Sequence, residues 1–85
     1  MGERDKEMLK AIELALAGKW EAAHELVQQY EGDPTAAWIH AVLHKQEGDL
    51  GNSGYWYRRA GKQGPGGEEP KVELEAIREE INARG

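Results

Sequence analysis

Apolar residues recur along most of this chain at the three- and four-residue spacing that gives an α-helix one buried face. Met8 and Ile12 show the pattern in the first segment, and Gly18 follows that segment as a helix C-terminal cap. Asp33 and Pro34 have the form of an N-cap followed by proline in the first turn. The pattern predicts an all-α protein with five helices, at about residues 4–17, 20–30, 34–47, 50–60 and 70–83.

The third predicted helix is apolar over most of its circumference, from Ala36 to Leu43. Neighbours bury such a helix on several sides, so we expect it at the centre of the fold. On the fifth helix we expect Val72 and Ile77 to face inward and Glu73 to lie on a solvated outer face. The predicted core consists of Leu9, Ile12, Trp20, Val27, Trp38, Ile39, Val42, Leu50, Tyr57 and Ile77.

The two halves of the chain are related by a faint repeat of 30 residues. Ala11 matches Ala41 and Gly18 matches Gly48, while the other matched positions agree only in apolar character. A period of this length is typical of stacked helical hairpins, here with the two glycines at their turns. The prediction is one domain over residues 1–85, with paired hairpins at 4–60, a flexible Gly/Pro loop at 61–69 and a capping helix at 70–83.

Composition narrows the classes of function. The formal net charge of −5 argues against a nucleic-acid partner, because such proteins normally carry a basic face. There is no cysteine, so neither a disulfide nor a thiolate metal site can form. No apolar run approaches the roughly 18 residues of a membrane span. We expect a soluble, cytoplasmic protein without a membrane or small-molecule partner.

Residues 48–60 resemble the second helix of a tetratricopeptide repeat. They comprise a Gly-Asp turn, a small residue five positions after that glycine and an aromatic-rich stretch that ends in Ala60. Residues 18–23 resemble the same element, although the period is shorter than the 34 residues of that family. The resemblance implies a tetratricopeptide-like bundle of two hairpins and a capping helix.

A narrower resemblance is to a family of small bacterial all-helical proteins. It is carried by the strings DPTAAWIHAVLH at 33–44, EGD at 47–49 and YWYRRAG at 55–61. This resemblance implies a fold and no activity. Gln46, where an aliphatic residue is expected, and the mid-helix Gly54 depart from the pattern. These departures raise the alternative of a natural scaffold engineered to bind a target protein.

The histidines are the strongest candidates for chemistry. His40 and His44 lie four residues apart on one helix face, and His24 or Glu47 is a possible third metal ligand. We nevertheless expect imidazoles at the edge of an aromatic core, hydrogen-bonded to backbone or carboxylates, with no metal site and no cofactor. No catalytic pattern of residues stands out, so we expect no enzymatic activity. A His-dependent metal-binding protein or small enzyme is the alternative.

Residues 55–59 carry the side chains most enriched at protein interfaces, namely tyrosine, tryptophan and arginine. A glycine inside an exposed helix costs about 1 kcal/mol relative to alanine, which suggests that either the fifth helix or a partner protein approaches the backbone there. The sequence therefore predicts a non-enzymatic protein–protein interaction module. Its predicted partner-binding residues are Gln46, Asn52, Gly54, Tyr55 and Arg58.

Overall fold

The fold was obtained as a computed structural model that describes residues 2–84; Met1 and Gly85, the ends of the predicted domain, lie outside the described residues. The described residues form helices and no strand, which confirms the all-α prediction. No helix among them is long and apolar enough to cross a membrane. The five helices are α1 (Glu3–Leu16), α2 (Trp20–Gln28), α3 (Pro34–Gln46), α4 (Leu50–Arg59) and α5 (Pro70–Arg84).

The sequence repeat is visible in the two helix–helix turns. Gly18 and Gly48 have φ angles of +80° and +82°, a left-handed conformation that glycine adopts without steric cost. The residue after each glycine donates its backbone N–H across the turn, from Lys19 to Leu14 at 2.8 Å and from Asp49 to His44 at 2.9 Å. Both helices therefore end in the same hydrogen-bonded motif, 30 residues apart.

Helix α3 lies at the centre, as its apolar sequence predicts. It packs against α1, α2, α4 and α5, and its buried residues occupy most of its circumference. Ser53 of α4 donates a hydrogen bond to the Ala41 carbonyl at 2.8 Å, so a small side chain occupies the close approach of α3 and α4. Helix α5 packs against α1 and α3, the first helices of the two pairs, and does not lie alongside α4.

The placement of α5 explains where the core differs from the prediction. Leu50 was expected inside and is 56% exposed. Its repeat partner Trp20 is covered by α3, the first helix of the next pair, whereas no further hairpin among residues 2–84 follows to cover Leu50. Val72 was also expected inside and is 49% exposed. It lies two residues before the buried Leu74, which places it about 200° away around the helix.

The other predicted core residues lie in or against the core. Six of them are buried within it, namely Ile12, Val27, Ile39, Val42, Tyr57 and Ile77. Leu9, Trp20 and Trp38 are partly buried and pack against the same cluster.

Glu73 was expected on a solvated face and is buried, with 8% of its surface exposed. Its carboxylate accepts hydrogen bonds from Trp38 Nε1 at 2.7 Å and from the Tyr57 hydroxyl at 2.7 Å, and it pairs with Lys45 Nζ at 2.8 Å. Burial alone would raise the pKa of Glu73, but these hydrogen bonds outweigh it and the pKa is lowered. A charged carboxylate can lie here because each neighbour donates to it.

Part of the loop at 61–69 packs onto α4. Gly64 lies against the ring of Tyr57, and a Cβ atom at this position would be 2.6 Å from Tyr57 Cγ. Pro65 lies above Gly54, with its Cδ atom 3.6 Å from where a Cβ of residue 54 would be. The side of α4 that carries Tyr57 and Gly54 is therefore covered by the chain's own loop.

Candidate functional site

All the histidines of the chain meet in one cluster, which we call the histidine cluster: His24 from α2 and His40 and His44 from α3. The Nε2 atoms of His24 and His40 are 3.0 Å apart. The candidate ligand atoms of the three rings all lie within 4.8 Å of one another. Three imidazoles from two helices thus converge on a space of the size that one metal ion occupies.

Two tryptophans form the walls of the cluster. Trp20 stacks on His24 with ring centroids 4.6 Å apart, and Trp56 stacks on His40 at 3.9 Å. The Trp20 indole N–H donates to the Leu43 carbonyl of α3 at 2.6 Å, which fixes the ring against the second hairpin. Stacking and burial therefore restrict the orientation of the His24 and His40 rings.

His44 is oriented by a carboxylate at the end of α3. Its Nδ1 atom lies 2.8 Å from Glu47 Oε1. An ionised carboxylate only accepts hydrogen bonds, so Nδ1 carries a proton, and in the neutral ring the lone pair is on Nε2. Asp49 belongs to the same neighbourhood, because His44, Glu47 and Asp49 also bring their ligand atoms within 4.8 Å of one another.

The electrostatic environment keeps two of the imidazoles neutral. Burial, followed by the proximity of His24 and His44, lowers the pKa of His40 to about 3. Burial and the proximity of His44 also lower the pKa of His24. In the His24–His40 hydrogen bond the accepting ring has to be neutral. Neutral imidazole is also the form that coordinates metal ions.

The expectation of imidazoles at the edge of an aromatic core, hydrogen-bonded to a carboxylate, agrees with the geometry of His44 and Glu47. The sequence named His24 or Glu47 as a possible third ligand beside His40 and His44. The packing of α2 on α3 brings His24 to His40. The usable signal in the sequence was the position of His24 next to Ala23, a residue on the inward face of α2.

The second candidate is the outward side of α4, which we call the α4 surface: Asn52, Tyr55 and Arg58. All three residues are exposed, and 43% of the surface of Tyr55 is accessible to solvent. The Asn52 amide donates to Asp49 Oδ2 at 2.7 Å. The Arg59 guanidinium donates to the Tyr55 hydroxyl at 3.1 Å and so holds this side chain against the helix.

Two of the five predicted partner-binding residues do not belong to the α4 surface. Gly54 is buried beneath Gly64 and Pro65, so the backbone that was expected to receive a partner receives the loop. Gln46 is exposed and is the last residue of α3. Together with Trp20 and Glu47 it lines a separate open groove.

Comparisons with protein-family models, with curated proteins and with solved structures found no match to this chain. The tetratricopeptide-like arrangement and the resemblance to small bacterial helical proteins are therefore still expectations. The function of the histidine cluster and of the α4 surface has to be inferred from their own geometry.

Proposed function

We propose that this chain is a non-enzymatic, tetratricopeptide-like interaction module whose α4 surface binds an acidic segment of a partner protein. The observation that carries the proposal is Tyr55, a large aromatic side chain that is 43% exposed yet held in one orientation by Arg59. Tyrosine and arginine are the residue types that contribute most to binding energy at interfaces.

The orientation of Tyr55 supports this role because it lowers the entropic cost of binding. Its ring packs edge-on against Trp56, with centroids 5.1 Å apart, and its hydroxyl accepts from Arg59. Arg59 in turn reaches the Glu31 carbonyl at 3.4 Å. A side chain that is already ordered loses less rotamer freedom when a partner covers it.

The charge around Tyr55 favours an acidic partner. Residues 50–67 contain three basic side chains and no acidic one, although the whole chain has a net charge of −5. Arg59 and Lys62 are engaged, since Lys62 Nζ lies 3.9 Å from the centroid of the Trp38 ring. Arg58 forms no ion pair with residues 2–84, so its guanidinium is available to a carboxylate of the partner.

The helix packing leaves this side of the molecule open. Helix α5 packs on α1 and α3 and touches α4 only through the Tyr57–Glu73 hydrogen bond, so α5 does not cover the side of α4 that carries Tyr55. The paired turns at Gly18 and Gly48 support a hairpin repeat of tetratricopeptide type. The proposal holds for a natural module and for an engineered scaffold.

Of the departures at Gln46 and Gly54, the packing accounts for the first. Gln46 is exposed, so a polar side chain is suited to its position. Gly54 lies against the loop, where a Cβ atom would be 3.6 Å from Pro65 Cδ, an ordinary van der Waals contact, so packing does not require glycine at this position.

A peptide-display selection tests the proposal. Random 12-residue peptides would be selected on the immobilised protein, and the affinity of the recovered peptides measured by fluorescence polarisation. We expect acidic peptides, with affinity for the Tyr55→Ala variant lower by about 1–3 kcal/mol. Val72→Ala is the matched control, because it truncates an equally exposed apolar side chain on α5 and should bind as the original chain does.

Two outcomes would contradict the proposal. One is a set of selected peptides with no excess of aspartate and glutamate, since Arg58 and the surrounding charge would then play no part. The other is equal affinity for Tyr55→Ala and Val72→Ala, which would place the binding surface elsewhere on the protein.

A further inference from the structure

We infer that His24, His40 and His44 form a binding site for a divalent transition-metal ion of the zinc class. This site is separate from the α4 surface and goes beyond the interaction proposed above. It uses every histidine of the chain, one from α2 and two from α3. The inference depends on their distances, on the rings that hold them and on the carboxylate behind His44.

The distances suit tetrahedral coordination. Zinc–imidazole bonds of about 2.0–2.1 Å at tetrahedral angles place two ligand nitrogens about 3.3 Å apart. The Nε2 atoms of His24 and His40 are 3.0 Å apart, and the widest separation between candidate ligand atoms in the cluster is within 4.8 Å. Coordination of one ion would require ring rotation that brings the more distant nitrogen atoms closer together.

The chemistry of the donors selects the class of ion. Imidazole nitrogen suits zinc, copper and nickel, whereas magnesium and calcium prefer sites made entirely of oxygen. The chain has no cysteine, so softer thiolate sites do not compete within it. Three histidines with a remaining open position are the donor set of many mononuclear zinc sites.

Without a metal, His24 and His40 satisfy each other, because one Nε2–H donates to the other Nε2. Coordination requires both Nε2 lone pairs. The proton of the donating ring therefore moves to its own Nδ1 through solvent exchange, and the ring remains neutral. His44 needs no such change, since the Glu47 carboxylate already holds its proton on Nδ1.

The cluster is partly exposed to solvent at His24. His24 is partly exposed, and Trp20 and Glu47, which flank the cluster, also line an open groove with Gly18. The exposed part of His24 is the side from which an ion would reach the cluster. Water would supply the fourth ligand, and the Glu47 carboxylate behind His44 adds negative charge near the dication.

The test is a calorimetric titration of the metal-free, untagged chain with zinc chloride. We expect one zinc ion per chain and a rise in melting temperature with zinc. His24→Ala should weaken binding at least tenfold and remove most of the rise, because it deletes a ligand at a partly exposed position. Glu25→Ala is the matched control, an exposed truncation at the next position of α2, and should bind zinc as the original chain does.

Glu47→Ala provides a second test that does not alter a histidine. We expect a 10–100-fold loss of zinc affinity, because the carboxylate that orients a ligand is removed. In the metal-free variant, nitrogen NMR should show His44 losing its preference for the Nδ1–H tautomer. Because Glu47 is exposed, this variant keeps the test valid if His24→Ala does not fold.

Absence of saturable zinc binding by the original chain would overturn the inference. Equal zinc affinity of His24→Ala and Glu25→Ala would also overturn it, because the ion would then be held by surface carboxylates. Binding of calcium or magnesium in preference to zinc would also overturn the inference, since those ions do not select imidazoles.

Discussion

Replacement of Gly64 by alanine tests how the 61–69 loop is held on α4. A Cβ atom at this position would lie 2.6 Å from Cγ and 2.7 Å from Cδ2 of the Tyr57 ring. Non-bonded carbon atoms prefer separations of about 3.5–4.0 Å, so the ring or the loop must move by about 1 Å. Tyr57 is 2% exposed and its hydroxyl donates to Glu73, so we expect the loop to move.

The cost should be that of an overpacked interior contact, about 1–3 kcal/mol of the free energy of unfolding. For a domain of this size each kcal/mol corresponds to a fall of about 4–8 °C in Tm. Urea and thermal denaturation followed by circular dichroism would measure both quantities. Gly67→Ala is the matched control in the same loop, because a Cβ atom there would have no neighbour within 4 Å, and its stability should be unchanged or slightly higher. Equal stability of the two variants would refute the reasoning.

Two further predictions concern buried ionisable groups. Glu73→Ala should lower the free energy of unfolding by about 3–5 kcal/mol in urea denaturation, because it leaves Lys45 without its partner in the interior, whereas exposed Glu79→Ala should change little. Acidification of the metal-free chain should also destabilise it. His40, which faces His24 and His44, has a folded pKa of about 3 against an ordinary value of 6.5, so the unfolded state takes up a proton first as pH falls below 6.5. Stability should therefore fall between pH 6.5 and about 3, by up to about 1.4 kcal/mol per pH unit from this group, and a flat pH profile by urea denaturation would contradict this.

The helix boundaries were predictable because their signals are local. Gly18 and Gly48 end their helices through a positive φ, and Asp33 accepts a hydrogen bond from the Ala36 N–H as an N-cap. Such features involve residues a few positions apart in the sequence. The order and type of all the helices follow from them and from the spacing of apolar residues.

The burial of Glu73 was not predictable in this way. Its donors, Trp38, Lys45 and Tyr57, lie between 16 and 35 residues earlier in the chain and come from two other helices. On the sequence alone, a glutamate in a segment rich in charged residues looks solvated. Only the docking of α5 on α3 brings the carboxylate to these donors.

The candidate sites were predictable only in part, because they also depend on contacts between residues from different elements. The spacing of His40 and His44 placed them on one helix face, but the distance from His24 to His40 depends on how the two hairpins pack. Gly54 was expected to face a partner, and the residues that cover it come from a loop whose path the sequence did not specify. Tyr55 is exposed as the proposed surface requires.

The most direct test of the proposed function is an NMR titration of the isotope-labelled chain with an acidic peptide selected on it. We predict that the largest amide shift changes occur at Asn52, Tyr55 and Arg58 and that they saturate at one peptide per chain. Shift changes centred on the groove beside Gly18 and Trp20, with α4 unaffected, would contradict the proposed surface.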